Sequence, residues 1–404
     1  MIKSVKRFLS ASGKGMKRSA IREILKHLQK PGMISFAGGL PAPETFPVED
    51  IKEIVIEVLE KHGAEALQYG TTEGDAGLRR ALVERHNRQG LNIGIDNLII
   101  TTGSQQALDL ISRIFIDPGD YVLCCLPSYI GGLNAFTAYG IKLKGITLDS
   151  EGMKPDELEE TIIHLKELGR KIKFIYVIPD FQNPAGITLP ESRRIKIIEI
   201  AEKYDLLIVE DSPYREVRFR GEPQRMMYEL DNTGRVITLC TFSKILSPGF
   251  RVGWVIGHPE ILDKIAMAKQ TADLCTSSFV QKIIALYLEK GLLENNLKKT
   301  IALYSGRRDF MIKCFRDQMP ENVTWTEPEG GLFLFVTLPR HLDADDIFRK
   351  AIERNVAFVS GSSFFCNDSG RNTMRINFSF SNPVEIEEGV KRLSTVIREE
   401  LASK

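Results

Sequence analysis

From about residue 97 onward, short β-branched runs alternate with longer stretches of helical period, and this rhythm limits the architecture more than any other feature of the chain. The runs are NLIITTG, YVLCCLP, IKLKGITL, KFIYVIP, LLIVEDSPY, VITLCTF and RVGWVIG, with helices expected from Ser104, after Tyr129, from Pro155 and through Arg193 to Tyr204. A strand that returns to its own sheet after a helix does so by a right-handed crossover, which lays the strands parallel and covers both faces. The expectation is an α/β unit with a mainly parallel central sheet. Around Asn295 the character changes: a long amphipathic helix (Leu297 to Phe315) leads into GGLFLFVTLP, the helix ADDIFRKAIER, the strands VAFVSG and MRINFSFS, and a closing helix. That pattern is a smaller α+β unit. We place the large unit at residues 50–295 and the small one at 296–404, with residues 1–49 joining the latter.

Composition narrows the class of protein. With 404 residues, Lys+Arg 54 against Asp+Glu 53 and 43% hydrophobic residues, the chain can build a full core and carries no basic footprint for nucleic acid. No apolar run approaches the ~18 residues of a membrane helix, so a soluble protein is expected. The six cysteines include no C-x-x-C pair, and two stand side by side in YVLCCLP; they read as small buried hydrophobes and point weakly to a reducing compartment. The basic start MIKSVKRFLSASGKGMKRSAIREIL shares a bias with organelle transit peptides. It runs on into the amphipathic stretch Ile21 to Leu28, however, and is read as a surface helix of a cytoplasmic protein. The six histidines show no ligand spacing, and no metal is expected.

In an open parallel sheet, ligands bind beyond the carboxyl ends of the strands. The polar residues there form a series: Gly103, Ser104 and Gln105; Ser128 and Tyr129; Asn183; Asp211 and Tyr214; Ser243, Lys244 and Arg251. Ser104 and Gln105 open a helix after a glycine, where free backbone N–H groups attract an anion; taken alone, such a sequence is more often only a cap. Ser243 adds a hydroxyl and Arg251 a fork of donors suited to phosphate. No G-x-x-x-x-G-K-[ST] and no G-x-G-x-x-G is present, which argues against a nucleoside triphosphate or dinucleotide. Lys244, on a short turn after an apolar strand, would have its pKa depressed by desolvation and become an amine nucleophile toward aldehydes. Asp211, ending a strand, could hold a proton on a ring nitrogen and make that ring an electron sink.

Together the segments YGTTEGDAGLRRAL, TTGSQQALDL, PDFQNPAG, EDSPY, TFSKILSPGFRVGW, EGGLFLF and MRINFS resemble, in order and spacing, the fold type I pyridoxal-phosphate aminotransferases of class I/II. ISFAGGLPAPETFP and the basic helix before it look most like the branch containing 2-aminoadipate and kynurenine aminotransferases. The resemblance implies pyridoxal 5'-phosphate bonded to Lys244, with Asp211 on the pyridine nitrogen, Asn183 and Tyr214 on the ring hydroxyl, and Tyr129 stacked on the ring. It further implies a phosphate cup of Ser104, Gln105, Ser243 and Arg251, closed by Tyr69 from a second subunit, and hence a homodimer with shared active sites. Arg375 would pair with the substrate α-carboxylate, with Asn183 contributing. Arg22 would approach the distal end of an acidic substrate, and Gly39 would let the backbone come close to the substrate. The implied reaction moves the α-amino group of 2-aminoadipate, glutamate, leucine or an aromatic amino acid to a 2-oxo acid, 2-oxoglutarate foremost.

Three other readings bear weighing. A lyase or decarboxylase could use the same cofactor, but an arginine fixing the carboxylate favours loss of the α-proton. A ligand-sensing regulator would need a DNA-binding module of ~60 residues before GGLP, for which there is no room. An aldolase using Lys244 without pyridoxal phosphate would lack the cofactor's colour.

Overall fold

The computed structural model describes residues 5–10, 13–14 and 31–403. Arg22 and the stretch Ile21 to Leu28 lie outside the described residues. The strands, in chain order, are β1 (Ile34–Ser35), β2 (Leu98–Thr101), β3 (Tyr121–Leu126), β4 (Lys142–Asp149), β5 (Gly152–Met153), β6 (Ile172–Val177) and β7 (Leu207–Asp211). They continue with β8 (Val236–Thr241), β9 (Gly253–Ile256), β10 (Thr324–Trp325), β11 (Phe333–Thr337), β12 (Val356–Ala357), β13 (Val359–Ser360) and β14 (Thr373–Asn377).

The large sheet has the order β2-β9-β8-β7-β6-β3-β4-β5. Its centre, β8-β7-β6-β3-β4, is parallel throughout. Of these, β3, β6, β7 and β8 are buried along most of their length and read as largely apolar runs, the pattern expected of strands covered on both faces, whereas β4 is mostly exposed or half-buried. One face packs under the helices Ser104–Phe115 and Pro259–Gln270, the other under Pro155–Glu167 and Glu191–Lys203.

Two features depart from the sequence expectation. β9 runs antiparallel to both β8 and β2, so RVGWVIG is the one reversed strand in the body of the sheet. The connection from β8 to β9, residues 242–252, is too short for a parallel crossover, which takes a dozen or more residues. The long helix starts earlier and ends later than expected, at Leu292–Gln318.

The second, antiparallel sheet has the order β10-β11-β14-β13. The N-terminal segment joins this end of the molecule. β1 pairs in parallel with β12, and the Asn377 N–H donates to the Phe36 carbonyl at 2.8 Å. The backbone after β1 is thereby carried past Ala37 to Gly39, where it faces the carboxyl ends of the large sheet. No helix among the described residues is long and apolar enough to cross a membrane.

Candidate active site

The carboxyl ends of β2, β3, β6, β7 and β8 open on one cavity of about 260 Å³. Gly39, Ser104, Gln105, Tyr129, Asn183, Asp211, Tyr214, Ser243, Lys244, Arg251 and Arg375 all line it. Each reaches it by a short route from a strand end, except Gly39, which arrives on the N-terminal segment, and Arg375, which projects from the middle of β14. Tyr69 is elsewhere: its side chain is 78% exposed and does not line the cavity.

Lys244 sits in the turn after β8, half-buried and open to the cavity, with its ammonium donating to the Gly39 carbonyl at 2.7 Å. Its depth in the molecule, then the positive charges of Arg375 and Arg251, lower its pKa to about 8. A lysine so placed is a base and nucleophile near neutral pH.

Asp211 ends β7 and is 2% exposed. One carboxylate oxygen, Oδ2, accepts from the Tyr176 hydroxyl at 2.8 Å, while Oδ1 is buried without a partner among the described residues. Desolvation raises its pKa to about 6, against the lowering effect of the Tyr176 hydrogen bond. A buried acceptor left unpaired costs free energy, and a ligand N–H aimed at it would remove that cost.

Asn183, Tyr214 and Arg375 form one chain of hydrogen bonds. The Arg375 Nη1 donates to Asn183 Oδ1 at 2.9 Å, and Asn183 Nδ2 donates to the Tyr214 hydroxyl at 3.2 Å. Arg375 Nη2 donates to the Ala37 carbonyl at 2.8 Å, while its Nε is buried without a partner. The guanidinium lies 4.1 Å from the Phe333 ring centroid and 5.1 Å from that of Phe364. Burial lowers its pKa to about 10, which still leaves it a cation at neutral pH. This buried, aromatic-flanked cation has no carboxylate partner among the described residues, and a substrate could supply one.

The opposite end of the cavity suits an anion. Gly103, at φ 75°, caps the helix Ser104–Phe115, and the first N–H groups of that helix have no intrahelical acceptor. A Cβ at Gly103 would fall 2.6 Å from Arg251 Nη2, and one at Gly253 would fall 2.9 Å from the Ser104 nitrogen, so only glycines let these donors converge. Ser243, whose hydroxyl accepts from Thr241 at 2.9 Å, and the exposed Arg251 complete the group. Tyr129 is half-buried on the side wall, its hydroxyl 3.5 Å from Gln105 Oε1.

A phosphate-bearing pyridine aldehyde fits this arrangement at three points: the anion cradle, the unpaired Asp211 oxygen and the Lys244 amine. Sequence reasoning overlooked Tyr176, which lies inside the apolar run KFIYVIP, and the Gly39 and Ala37 carbonyls, which have no side-chain signature. Phe333, in EGGLFLF, belongs to the buried core and also lines the cavity.

Comparisons with known proteins agree with this chemistry. The family model for aminotransferases of class I and II matches residues 32–393. An aromatic-amino-acid aminotransferase of Thermococcus litoralis is 49% identical over 98% of this chain and 95% of its own length. A 2-aminoadipate transaminase of Thermus thermophilus is 40% identical over 97% of this chain and 98% of its own. The crystal structure of Pyrococcus horikoshii kynurenine aminotransferase in complex with PMP superposes with a TM-score of 0.95 at 46% identity, covering 99% of both chains. The chain belongs to the class I and II aminotransferase family and is a pyridoxal-phosphate-dependent aminotransferase of fold type I.

Proposed function

We propose that this enzyme transfers the α-amino group of a broad set of amino acids, aromatic, leucine-like and acidic, to 2-oxoglutarate. The observation that carries the reading is Arg375. It is buried at 1% exposure, held by Asn183 and Ala37, flanked by two aromatic rings, and lines the same cavity as Lys244. A fixed cation at that point selects a carboxylate and orients the substrate Cα toward the lysine.

In this reading Ser104, Gln105, Ser243 and Arg251 hold the cofactor phosphate, with Tyr69 of a second copy closing the cup. Asp211 pairs with the ring nitrogen, Asn183 and Tyr214 hold the ring hydroxyl, and Tyr129 covers the ring face. Pyridoxal phosphate, when bound, supplies the aldehyde that takes up the amino group and the ring that disperses the charge left at Cα. Lys244 Nζ would take the proton from the substrate Cα, hold it as an ammonium and give it up again. A pKa of about 8 leaves this amine about half in its basic form at pH 8.

The rest of the wall supports a broad donor range. Its apolar lining consists of Leu108, Ile178, Pro213, Pro248 and Phe333, and the only cations on it among the described residues are Lys244, Arg251 and Arg375, each with a role already. A distal carboxylate therefore needs a cation from elsewhere, and Arg22 is the residue proposed. Residues 50–295 are taken as the cofactor-binding domain, and 1–49 with 296–404 as the domain that covers the substrate. The exposed Tyr69 supports a homodimer, and the free cysteines support residence in the cytoplasm.

The test is a panel of amino donors with 2-oxoglutarate as acceptor. The proposal predicts turnover with aromatic, leucine and acidic donors, glutamate as coproduct, and no sustained release of 2-oxo acid without an acceptor. Sustained release without acceptor would instead indicate a lyase. Activity with acidic donors that survives Arg22→Ala unchanged would remove the role given to Arg22.

A further inference from the structure

Three cysteines outside the cavity are arranged in a way that transamination does not use. Cys124 and Cys125 are successive residues of β3, so their side chains leave opposite faces of the sheet. Cys124 joins the cluster of Ile99, Leu133, Phe136 and Phe174, whereas Cys125 joins that of Ile146, Leu158 and Ile197. Both are buried, at 0% and 2% exposure. In the parallel ladder between β3 and β4, Gly145 stands directly opposite Cys124. A glycine there leaves a gap on the Cys124 face, which the side chains of Leu126 and Cys366 share: Leu126 Cβ and Cδ1 lie 2.8 Å, and Cys366 Sγ 3.1 Å, from where a Cβ on Gly145 would be. Cys366 packs against the same cluster as Cys124. Neighbouring strands lie about 4.8 Å apart, which puts the Cys366 sulfur within one side chain's reach of the Cys124 thiol.

The two thiols differ in access and acidity. Cys366 is half-buried, in the loop that follows Gly361–Phe364. A hydrogen bond from Cys124 holds its pKa below the ordinary thiol value against the opposing effect of burial, helped by the N–H groups of Cys366 and Gly145 and the charge of Lys144. Cys124 is shifted the other way, by the same interaction and then by burial. An accessible, acidic thiol next to a buried partner is the pairing in which oxidation stops at a disulfide.

The geometry points to Cys366 and Cys124 as a peroxide-sensitive modification site, in which hydrogen peroxide oxidises Cys366 and Cys124 resolves it as an intrachain disulfide. The Cys366 thiolate attacks one peroxide oxygen, the O–O bond breaks, and a sulfenic acid forms as hydroxide leaves; the proton that the Cys366 thiol released on ionising turns that hydroxide into water. The Cys124 sulfur then attacks the Cys366 sulfur, the S–O bond breaks, and the departing hydroxide takes the Cys124 proton as a second water. Peroxide gains the two electrons that the two thiols lose. The bond would tie β3 to the loop that carries Phe364. The Phe364 carbonyl accepts from the Ser128 N–H at 2.9 Å, and its ring flanks Arg375, so the cross-link would stand directly behind the proposed carboxylate clamp.

The experiment treats the holoenzyme with hydrogen peroxide, removes the peroxide, unfolds the protein in denaturant without reductant, alkylates the remaining thiols and maps the peptides. Two of the six cysteines should escape alkylation, in a single cross-link between the peptides holding Cys124 and Cys366, and dithiothreitol should restore both. Cys125→Ser should form the same cross-link, Cys366→Ser should form none, and Cys124→Ser should leave Cys366 as a sulfenic acid that dimedone captures. Six alkylated thiols after peroxide, Cys366 joined to any other cysteine, or loss of the cross-link in Cys125→Ser would each overturn the assignment. The wild-type map decides the matter even where a variant does not fold.

Discussion

Two sites that each bury an aspartate and an arginine behave differently. Asp180 and Arg194 are 1% and 0% exposed, and every valence of the arginine is met. It donates to both Asp180 oxygens, at 2.8 and 3.3 Å, and to the carbonyls of Leu189, Arg225 and Pro179 at 2.9, 2.8 and 3.3 Å. Asp211 and Arg375 are equally buried, but each keeps an atom with no partner among the described residues, Oδ1 in one and Nε in the other. The first site is a closed structural joint that locks the β6 exit to the helix Glu191–Lys203. The second has unmet capacity on both charges, a donor without an acceptor and an acceptor without a donor, which marks it as built for a ligand. Burial and charge alone do not separate the two; the unpaired atoms do.

Four substitutions sharpen or break this contrast, and the largest effect is expected at Lys244. Lys244→Ala should lower turnover by about 10⁴-fold while leaving the fold intact, since it removes the proposed base at Cα and a buried cost together. Steady-state kinetics alongside thermal melting would show whether activity and stability separate in this way.

Arg194→Leu should do the reverse. Leaving Asp180 with only Arg215 and Arg218, each 3.6 Å away, should cost about 3–5 kcal/mol of stability. The fraction that folds should keep its kcat, as denaturant unfolding and active-site titration on one sample would reveal.

Asp211→Asn should forfeit most activity yet stabilise the cofactor-free protein. Burial raises the Asp211 pKa to about 6 from an ordinary value near 4, so the folded state holds this proton more tightly than the unfolded one. Stability from that group is full below about pH 4 and falls as pH rises through 6, a loss of about 3 kcal/mol by neutral pH. The asparagine variant should therefore melt higher than wild type at pH 7.5, and the gain should vanish near pH 4. Pyridoxal phosphate should stabilise the wild type more than the variant.

Tyr176→Phe is expected to have the smallest effect. Its hydroxyl lowers the Asp211 pKa, so its loss should raise that pKa further and move the acid limb of cofactor binding upward, with affinity at pH 8 changed only several-fold. Fluorescence titration of cofactor binding across pH would read both.

Much of this site was legible in the chain because strand ends in a parallel sheet collect polar residues in a fixed order. Ser104, Tyr129, Asn183, Asp211 and Lys244 could be lined up from the runs that precede them, and the cavity gathers them all. What the sequence hid are groups whose role depends on direction. Tyr176 has the composition of a core residue, and only the pleat of β6 turns its hydroxyl toward Asp211. The Gly39 carbonyl that holds Lys244 is backbone, indistinguishable in sequence from any other. The reversal of β9 was masked because RVGWVIG reads alike in either direction, although the short connection before it carried the signal. Tyr69 is exposed and does not line the cavity of its own chain, which no pattern within one chain would disclose.

The central claim is that one amine, Lys244, carries the cofactor opposite the Asp211 oxygen that lacks a partner. Borohydride reduction of the holoenzyme followed by peptide mapping tests it directly. The account predicts a single stable phosphopyridoxyl adduct, on Lys244, absent when the same protein is first saturated with an amino donor. An adduct on another lysine, or an unmodified Lys244 peptide from fully active enzyme, would contradict it.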